Sequence, residues 1–205
     1  MKREEFFTTW SESHGGAEIS GIVKAWLNIS YIIVKPLMKI RITPNSLTLL
    51  GLFFGVALYL NAKSIWAPVL LVLSLTCDGV DGTLAIVSGK SSKWGAVLDS
   101  LVDRITEVFW VLALYKIGAD LYLLIVVAVF ALLQEYLRAR AAGLGLAQVG
   151  IVTFAERPVR ASFIFVSLIA WQIKMPIINQ ITLLWLLLQV VSFMMVSRFT
   201  YQHLN

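Results

Sequence analysis

The sequence predicts an all-α, polytopic membrane fold: six transmembrane helices preceded by an N-terminal interfacial amphipathic helix. Three observations predict it. The 205 residues are 59% hydrophobic and only 14% charged, with a mean hydropathy of +0.81, whereas soluble domains carry about 25% charged residues. Several apolar stretches approach the ~20 residues that cross a bilayer as a helix. Lysine and arginine gather at one end of those stretches. A soluble globular enzyme, a disordered chain and a disulfide-built secreted module are thereby excluded. The lone Cys77 has no second cysteine for an internal disulfide.

The elements follow in order. Met1–Trp10 mixes acids and aromatics and lacks the basic start and apolar centre of a signal peptide. In Ala17–Arg41, apolar residues recur at steps of three and four among Lys24, Lys35 and Lys39. That pattern is too polar for a span. It fits either an amphipathic helix on the membrane surface or a cytoplasmic cap packed on the bundle. Residues 1–41 thus form a cytoplasmic or interfacial segment, and 42–205 a six-helix domain. Thr43-Pro44-Asn45-Ser46 reads as a helix start, since proline disfavours helix at the residue before it and Asn or Ser can cap. Spans are expected at 46–62, 65–87, 97–115, 119–141, 160–173 and 177–198.

Fourteen cations, among them Arg41, Lys90, Lys93, Arg104, Arg138, Arg140 and Arg198, fall on one side of these spans, and only Lys63, Lys116 and Lys174 on the other. The bias places both termini and the 88–95 and 142–159 loops in the cytoplasm of a cell (inner) membrane protein. Because these cations sit at span ends, anionic lipid headgroups or an anionic substrate suit them better than nucleic acid.

The second and third spans carry Asp78, Asp81, Asp99 and Asp103. An acid at a helix centre costs about 2.5–3.5 kcal/mol on insertion, so four of them must face inward and be neutralised. Asp78 and Asp81 are three residues apart and Asp99 and Asp103 four, so each pair shares a helix face. A short loop makes the two helices antiparallel neighbours, and both pairs lie at the cytoplasmic ends. Two hard cations, Mg²⁺ or Mn²⁺, would satisfy such oxygens, with no Cys or His partner to suggest zinc. His14 and His203 are read as solvated tail residues. Salt bridges to Arg104, Arg138 or Arg140 are the alternative reading of the acids. Gly79 and Gly82 lie within one turn of the aspartates; Gly79 suits helix packing or ligand approach equally, and Gly82 suits ligand contact.

The stretch DGVDGTLAIVSGKSSKWGAVLDSLVD at 78–103 resembles the signature of the CDP-alcohol phosphatidyltransferase family, D-x2-D-G-x2-A-R-x8-G-x3-D-x3-D. Asp78, Asp81, Gly82, Ala85, Gly95, Asp99 and Asp103 fall in register; Ile86 stands where the family has arginine. The resemblance implies an enzyme that moves a phosphatidyl group from a CDP-linked lipid to an alcohol and releases CMP. It implies two divalent cations held by the four aspartates, with Asp103 also the general base. The missing arginine, expected to bind the donor phosphates, would be replaced by Lys90, Lys93 or Arg104, or mark weaker binding or an altered donor.

Three further segments resemble the actinobacterial phosphatidylinositol phosphate synthase branch of that family: Thr43-Pro-Asn-Ser-Leu-Thr48, Tyr136-Leu-Arg138-Ala-Arg140-Ala and Glu156-Arg157-Pro-Val-Arg160. By that resemblance Asn45, Thr48, Gly82 and Ser92 contact CDP-diacylglycerol. Arg138, Arg140 and Arg198 hold the acceptor phosphate, as in inositol 1-phosphate. Arginines at i and i+2 with a third at a distant span end suit a phosphomonoester, but they also suit simple cytoplasmic anchoring. Glycerol 3-phosphate is the second acceptor candidate. A divalent-cation transporter and a non-catalytic lipid-binding protein are the competing classes. The resemblance also implies a homodimer, for which Gly51-Leu-Phe-Phe-Gly55 is a suggestive pattern.

Overall fold

The computed structural model describes residues 1–13, 16, 18–146 and 151–204, with Ile22 described in its backbone alone. His14 and the middle of the 142–159 loop therefore lie outside the described residues. Eight helices and no strand are found among the described residues: α1 Arg3–Ser13, α2 Gly21–Lys39, α3 Pro44–Leu60, α4 Ala67–Val87, α5 Lys93–Lys116, α6 Leu121–Gly143, α7 Arg157–Gln172 and α8 Ile178–Leu204. Six of them overlap the six expected spans. Three, α4, α6 and α8, are long and apolar enough to cross a membrane, or four if α2 and α3 count as one bent span. The remainder differ for local reasons. Helices α3 and α7 have 17 and 16 residues, and α5 is interrupted by Asp99, Asp103, Arg104 and Glu107.

Helix α2 meets α3 at 110°, the turn expected where a surface-lying helix runs into a span. At that corner α3 begins at Pro44, which suits the first helical position because its missing N–H would be unbonded there anyway. The cap is Thr43, whose Oγ1 accepts from the Ser46 amide at 3.2 Å and lies 2.7 Å from the Ser46 hydroxyl. Asn45 is thereby left free of capping duty.

The chain forms two compact units. The first comprises Met1–Phe54 and Val72–Thr106. Its core joins Phe6, Leu27, Tyr31 and Val34 of the N-terminal helices to Leu47 of α3 and to Cys77, Val80, Leu84 and Val87 of α4. Small residues set the closest approaches. A Cβ at Gly79 would stand 2.5 Å from the Trp26 ring, so α2 rests directly on α4 there. Gly79 is thus a packing glycine. A Cβ at Gly51 would stand 3.3 Å from both Cys77 Cβ and the Ser74 carbonyl oxygen, a tight approach of α3 to α4, and the Ser74 hydroxyl donates to the Gly51 carbonyl at 2.8 Å. Helix α4 ends in a Schellman turn: Lys90 N–H bonds to Ala85 C=O and Gly89 N–H to Ile86 C=O, with Gly89 at φ 66°. That turn folds residues 90–92 back toward the last turn of α4.

The second unit comprises Gly55–Leu71 and Glu107–Asn205. Here α6 and α7 pack against α8. Asp120 caps α6 by accepting from the Leu123 amide at 2.9 Å, and its own amide donates to Asn179. Buried Gln189 donates to Gln134 at 2.8 Å, and Gln134 donates to Thr153. The Ala155 amide donates to Ser192 at 2.9 Å. These bonds tie the segment before α7 to α6 and α8, since buried polar groups need partners.

Candidate active site

The four aspartates divide three and one. Asp78 on α4 and Asp99 and Asp103 on α5 each offer a carboxylate oxygen, and these oxygens lie within 4.8 Å of one another. The i, i+4 spacing on α5 and the five-residue link between α4 and α5 bring the three together, as the helix periodicity predicts. Like charges this close oppose one another. Three hard oxygen donors at such spacing fit a divalent cation of the Mg²⁺ or Mn²⁺ kind. Arg104 reaches Asp103 at 3.4 Å. Asp81 is 4% exposed and accepts a hydrogen bond from the Thr48 hydroxyl of α3.

Beside the cluster opens a cavity of about 230 Å³. Asn45 and Thr48 line it from α3, Gly82 from α4 and Ser92 from the α4–α5 turn, so the four residues assigned to the CDP-lipid on resemblance share one space. Asp81 and Asp99 line it as well. Asp99 therefore belongs both to the cavity wall and to the carboxylate cluster. A Cβ added at Gly82 would meet nothing within 4 Å, which leaves the glycine backbone open to a ligand. Gly95 serves differently: a Cβ there would press on Ser92 Oγ at 3.0 Å and Asn45 Oδ1 at 3.3 Å, and its amide donates a hydrogen bond to Ser92 Oγ at 2.9 Å. Ile86 also lines the cavity while packing on the core. Of the three cations considered in place of arginine, Lys90 is in the lining. Ser13 and Ser91 also line the cavity, and sequence reasoning did not single them out.

The arginines assigned to the acceptor belong to the second unit. Arg138 is held by Glu156 through two bonds of 2.7 and 2.8 Å, and it donates to the Ile151 carbonyl at 3.0 Å. It lines a second cavity of about 190 Å³ with Val196, Phe199 and Thr200. Arg140 and Arg198 are exposed and lie outside that lining. Burial by itself would raise Glu156, but the hydrogen bonds from Arg138 and from the Thr153 hydroxyl and amide hold its carboxyl below the ordinary glutamate value. That stabilisation is complete above the ordinary value and fades as pH falls through the lowered one. Nearby, Arg160 is 2% exposed and meets Glu135 at 2.8 Å and Glu107 at 3.4 Å. Arg157 meets Glu107 at 3.7 Å and lies over the Trp110 ring. Sequence reasoning read these two arginines either as span-end charges or as part of the Glu156–Arg160 resemblance; the acids that pair with them are 25 or more residues away and carry no local signal.

Comparison with known proteins bears on the family and the fold. The sequence profile described as CDP-alcohol phosphatidyltransferase matches residues 41–202. The phosphatidylinositol phosphate synthase of Cutibacterium acnes is 32% identical over 160 residues, which cover 72% of this chain and 74% of that protein. The archaetidylinositol phosphate synthase of Pyrococcus horikoshii is 31% identical over 159 residues, covering 74% and 82%. A shorter match, 46% over 79 residues, joins the chain to the Corynebacterium glutamicum phosphatidylinositol phosphate synthase and spans 36% of that protein. In fold, the chain is similar to the crystal structure of Mycobacterium tuberculosis phosphatidylinositol phosphate synthase with CDP-DAG bound. The TM-score is 0.69 at 23% identity, covering 85% of this chain and 94% of that one.

Proposed function

The chain belongs to the CDP-alcohol phosphatidyltransferase family, and from that premise we propose that it moves the phosphatidyl group of CDP-diacylglycerol to inositol 1-phosphate, releasing CMP. One observation carries the proposal. The cavity lined by Asn45, Thr48, Gly82 and Ser92 shares Asp99 with the carboxylate cluster, so a diphosphate lodged there has its phosphorus beside the groups that would activate an alcohol. The relatives' names supply the acceptor: those from bacteria and archaea differ in the lipid they name and agree on inositol phosphate.

Asp78, Asp99 and Asp103 would hold Mg²⁺ or Mn²⁺, with Asp81 completing the ligands of a two-ion site. Cations held there would neutralise the diphosphate oxygens and lower the barrier to nucleophilic attack. Asp103 takes the proton from the acceptor hydroxyl. The alcohol oxygen forms its bond to the phosphatidyl phosphorus, the bond from that phosphorus to the CMP oxygen breaks, and CMP leaves with the electron pair. Thr48 fixes Asp81 by its hydrogen bond. The acceptor phosphate is assigned to Arg138, Arg140 and Arg198; the exposure of the last two keeps them accessible to an anion.

Lys90 takes the place of the family arginine on the donor phosphates. Lys90→Ala is expected to raise the KM for CDP-diacylglycerol about tenfold with little change in kcat, the loss of one charged contact. Steady-state CMP release at varied donor concentration measures it. The enzyme is integral to a cell (inner) membrane, with six spans in residues 42–205 and residues 1–41 as an interfacial cap. Its active site and termini face the cytoplasm, as the cation bias requires. Apolar side chains left exposed on α8, such as Leu183, Leu184, Leu187 and Met194, suit lipid or the second subunit of a homodimer.

The deciding experiment is an acceptor screen with radiolabelled CDP-diacylglycerol and Mg²⁺ or Mn²⁺. Inositol 1-phosphate is expected to give labelled phosphatidylinositol phosphate. Turnover with glycerol 3-phosphate alone would transfer the assignment to that acceptor. No CMP from inositol phosphate, inositol, glycerol 3-phosphate or serine would remove the transferase reading.

A further inference from the structure

The orientation of Arg138 is set from outside its own helix. Its Nη1 and Nη2 donate to the two carboxylate oxygens of Glu156 at 2.8 and 2.7 Å, a paired contact that fixes a guanidinium in both position and plane. Glu135, one turn back on α6, is 3.8 Å from Arg138 and takes Arg160 at 2.8 Å. Glu156 is therefore the acid that holds Arg138. It stands at the N-terminal boundary of α7, yet its side chain makes no capping bond there. Instead Oε1 turns back to accept from the Thr153 amide at 2.7 Å and the Thr153 hydroxyl at 2.8 Å.

The bonds behind Thr153 run in one direction. An ionised carboxylate can only accept, so the single hydroxyl proton of Thr153 is committed to Glu156. The Thr153 oxygen is left to accept, and Gln134 of α6 donates to it at 3.4 Å. The Gln134 carbonyl accepts in turn from Gln189 of α8 at 2.8 Å. The order is Gln189, Gln134, Thr153, Glu156, and each proton points toward the carboxylate that holds Arg138. Bonds aligned in this way polarise and strengthen one another. Both glutamines are fully buried. Burying an amide is costly unless it is bonded, and apolar side chains would join α6 to α8 without that cost. Ser192, one turn beyond Gln189, accepts from the Ala155 amide at 2.9 Å, so α8 grips the segment between Thr153 and Glu156 as well. We infer that Gln134 and Gln189 are positioning residues for the acceptor: through Thr153 and Glu156 they set the Arg138 guanidinium where the acceptor phosphate meets it.

Since this rests on the acceptor role given to Arg138 above, the experiment is built to separate the two. Gln134→Leu, Gln189→Leu, Thr153→Val and Thr153→Ser are made in the full chain. Thr182→Val is the control, because Thr182 is a buried α8 residue whose hydroxyl bonds within its own helix. Each glutamine variant is expected to raise the KM for inositol 1-phosphate about fivefold, and Thr153→Val about tenfold, for one and two lost hydrogen bonds. The KM for CDP-diacylglycerol and kcat stay at the parental values. Thr153→Ser keeps the hydroxyl and behaves as the parent, as does Thr182→Val. Thr153→Val leaves the Gln134–Gln189 pair intact, so it carries the test even where a leucine variant fails to fold. An unchanged acceptor KM in Thr153→Val overturns the inference. So does a Thr153→Ser protein as impaired as the valine variant, an equal rise in Thr182→Val, or a donor KM that rises with the acceptor KM. Equilibrium binding of inositol 1-phosphate, by calorimetry, needs no turnover. Weaker binding by Thr153→Val, with Thr153→Ser at the parental affinity, supports the inference even if the parent transfers nothing, in which case the proposed activity alone fails. A parent that does not bind inositol 1-phosphate, or a Thr153→Val protein that binds it equally well, overturns the inference.

Discussion

Replacing Asp103 with asparagine is expected to cut CMP release about a thousandfold while leaving the fold and part of the divalent-ion affinity intact. The magnitude is that of a lost general base. Asparagine keeps the shape of the side chain and one oxygen able to ligate a cation, but it cannot accept the alcohol proton. Asp103 is suited to the role because its carboxylate joins Asp78 and Asp99 in one cluster and is 16% exposed, so an acceptor can reach it. Asp78→Asn should behave differently. It weakens the cation site without removing the base, so higher Mg²⁺ is expected to restore part of its rate. Single-turnover CMP release, alongside calorimetric titration with Mg²⁺, separates the two variants. Full activity in Asp103→Asn removes that residue from the base role, and loss of all ion binding recasts it as a ligand alone.

The contrast between Asp103 and Asp81 shows how far residue spacing reaches. Helix periodicity and a short link suffice to bring α4 and α5 together, so the convergence of Asp78, Asp99 and Asp103 was legible. Spacing treats Asp81 as equivalent to Asp78. Its partner Thr48 lies 33 residues away, and only the packing of α3 on α4 brings the two together. Helix α1 escaped notice for a related reason. It is a polar helix with one deeply buried anchor, Phe6, and a single anchor has no period. At the start of α3 the local signals named Asn and Ser as caps, whereas Thr43 takes that place and Asn45 turns to the cavity. The span count was read from apolar length, which α5 fails because it carries Asp99, Asp103, Arg104 and Glu107 and α7 because it is short.

The cation bias at span ends was equally legible, but it hid the buried ion cluster of the second unit. Arg160→Leu is expected to lower the melting temperature by about 10 °C. Removing one partner of a buried ion pair costs about 3–5 kcal/mol, because the remaining charge is left without compensation, and each kcal/mol shifts the melting point of a chain this size by about 2–4 °C. The side chain is 2% exposed and bridges Glu135 at 2.8 Å and Glu107 at 3.4 Å, so its loss affects two acids together. Glu107 keeps Arg157 at 3.7 Å and Glu135 keeps Arg138 at 3.8 Å, both too long to take over in full. Arg160→Lys should fall between parent and leucine, since an ammonium supplies the charge without the planar fork that reaches both acids. The double variant Arg160→Leu/Glu135→Leu should recover part of the loss, because exchanging both members of a buried pair for apolar groups removes the stranded charge. Melting curves of the three variants in detergent test this. Equal destabilisation by the single and double leucine variants would show that Arg160 matters through the volume it fills, not through the acids it neutralises.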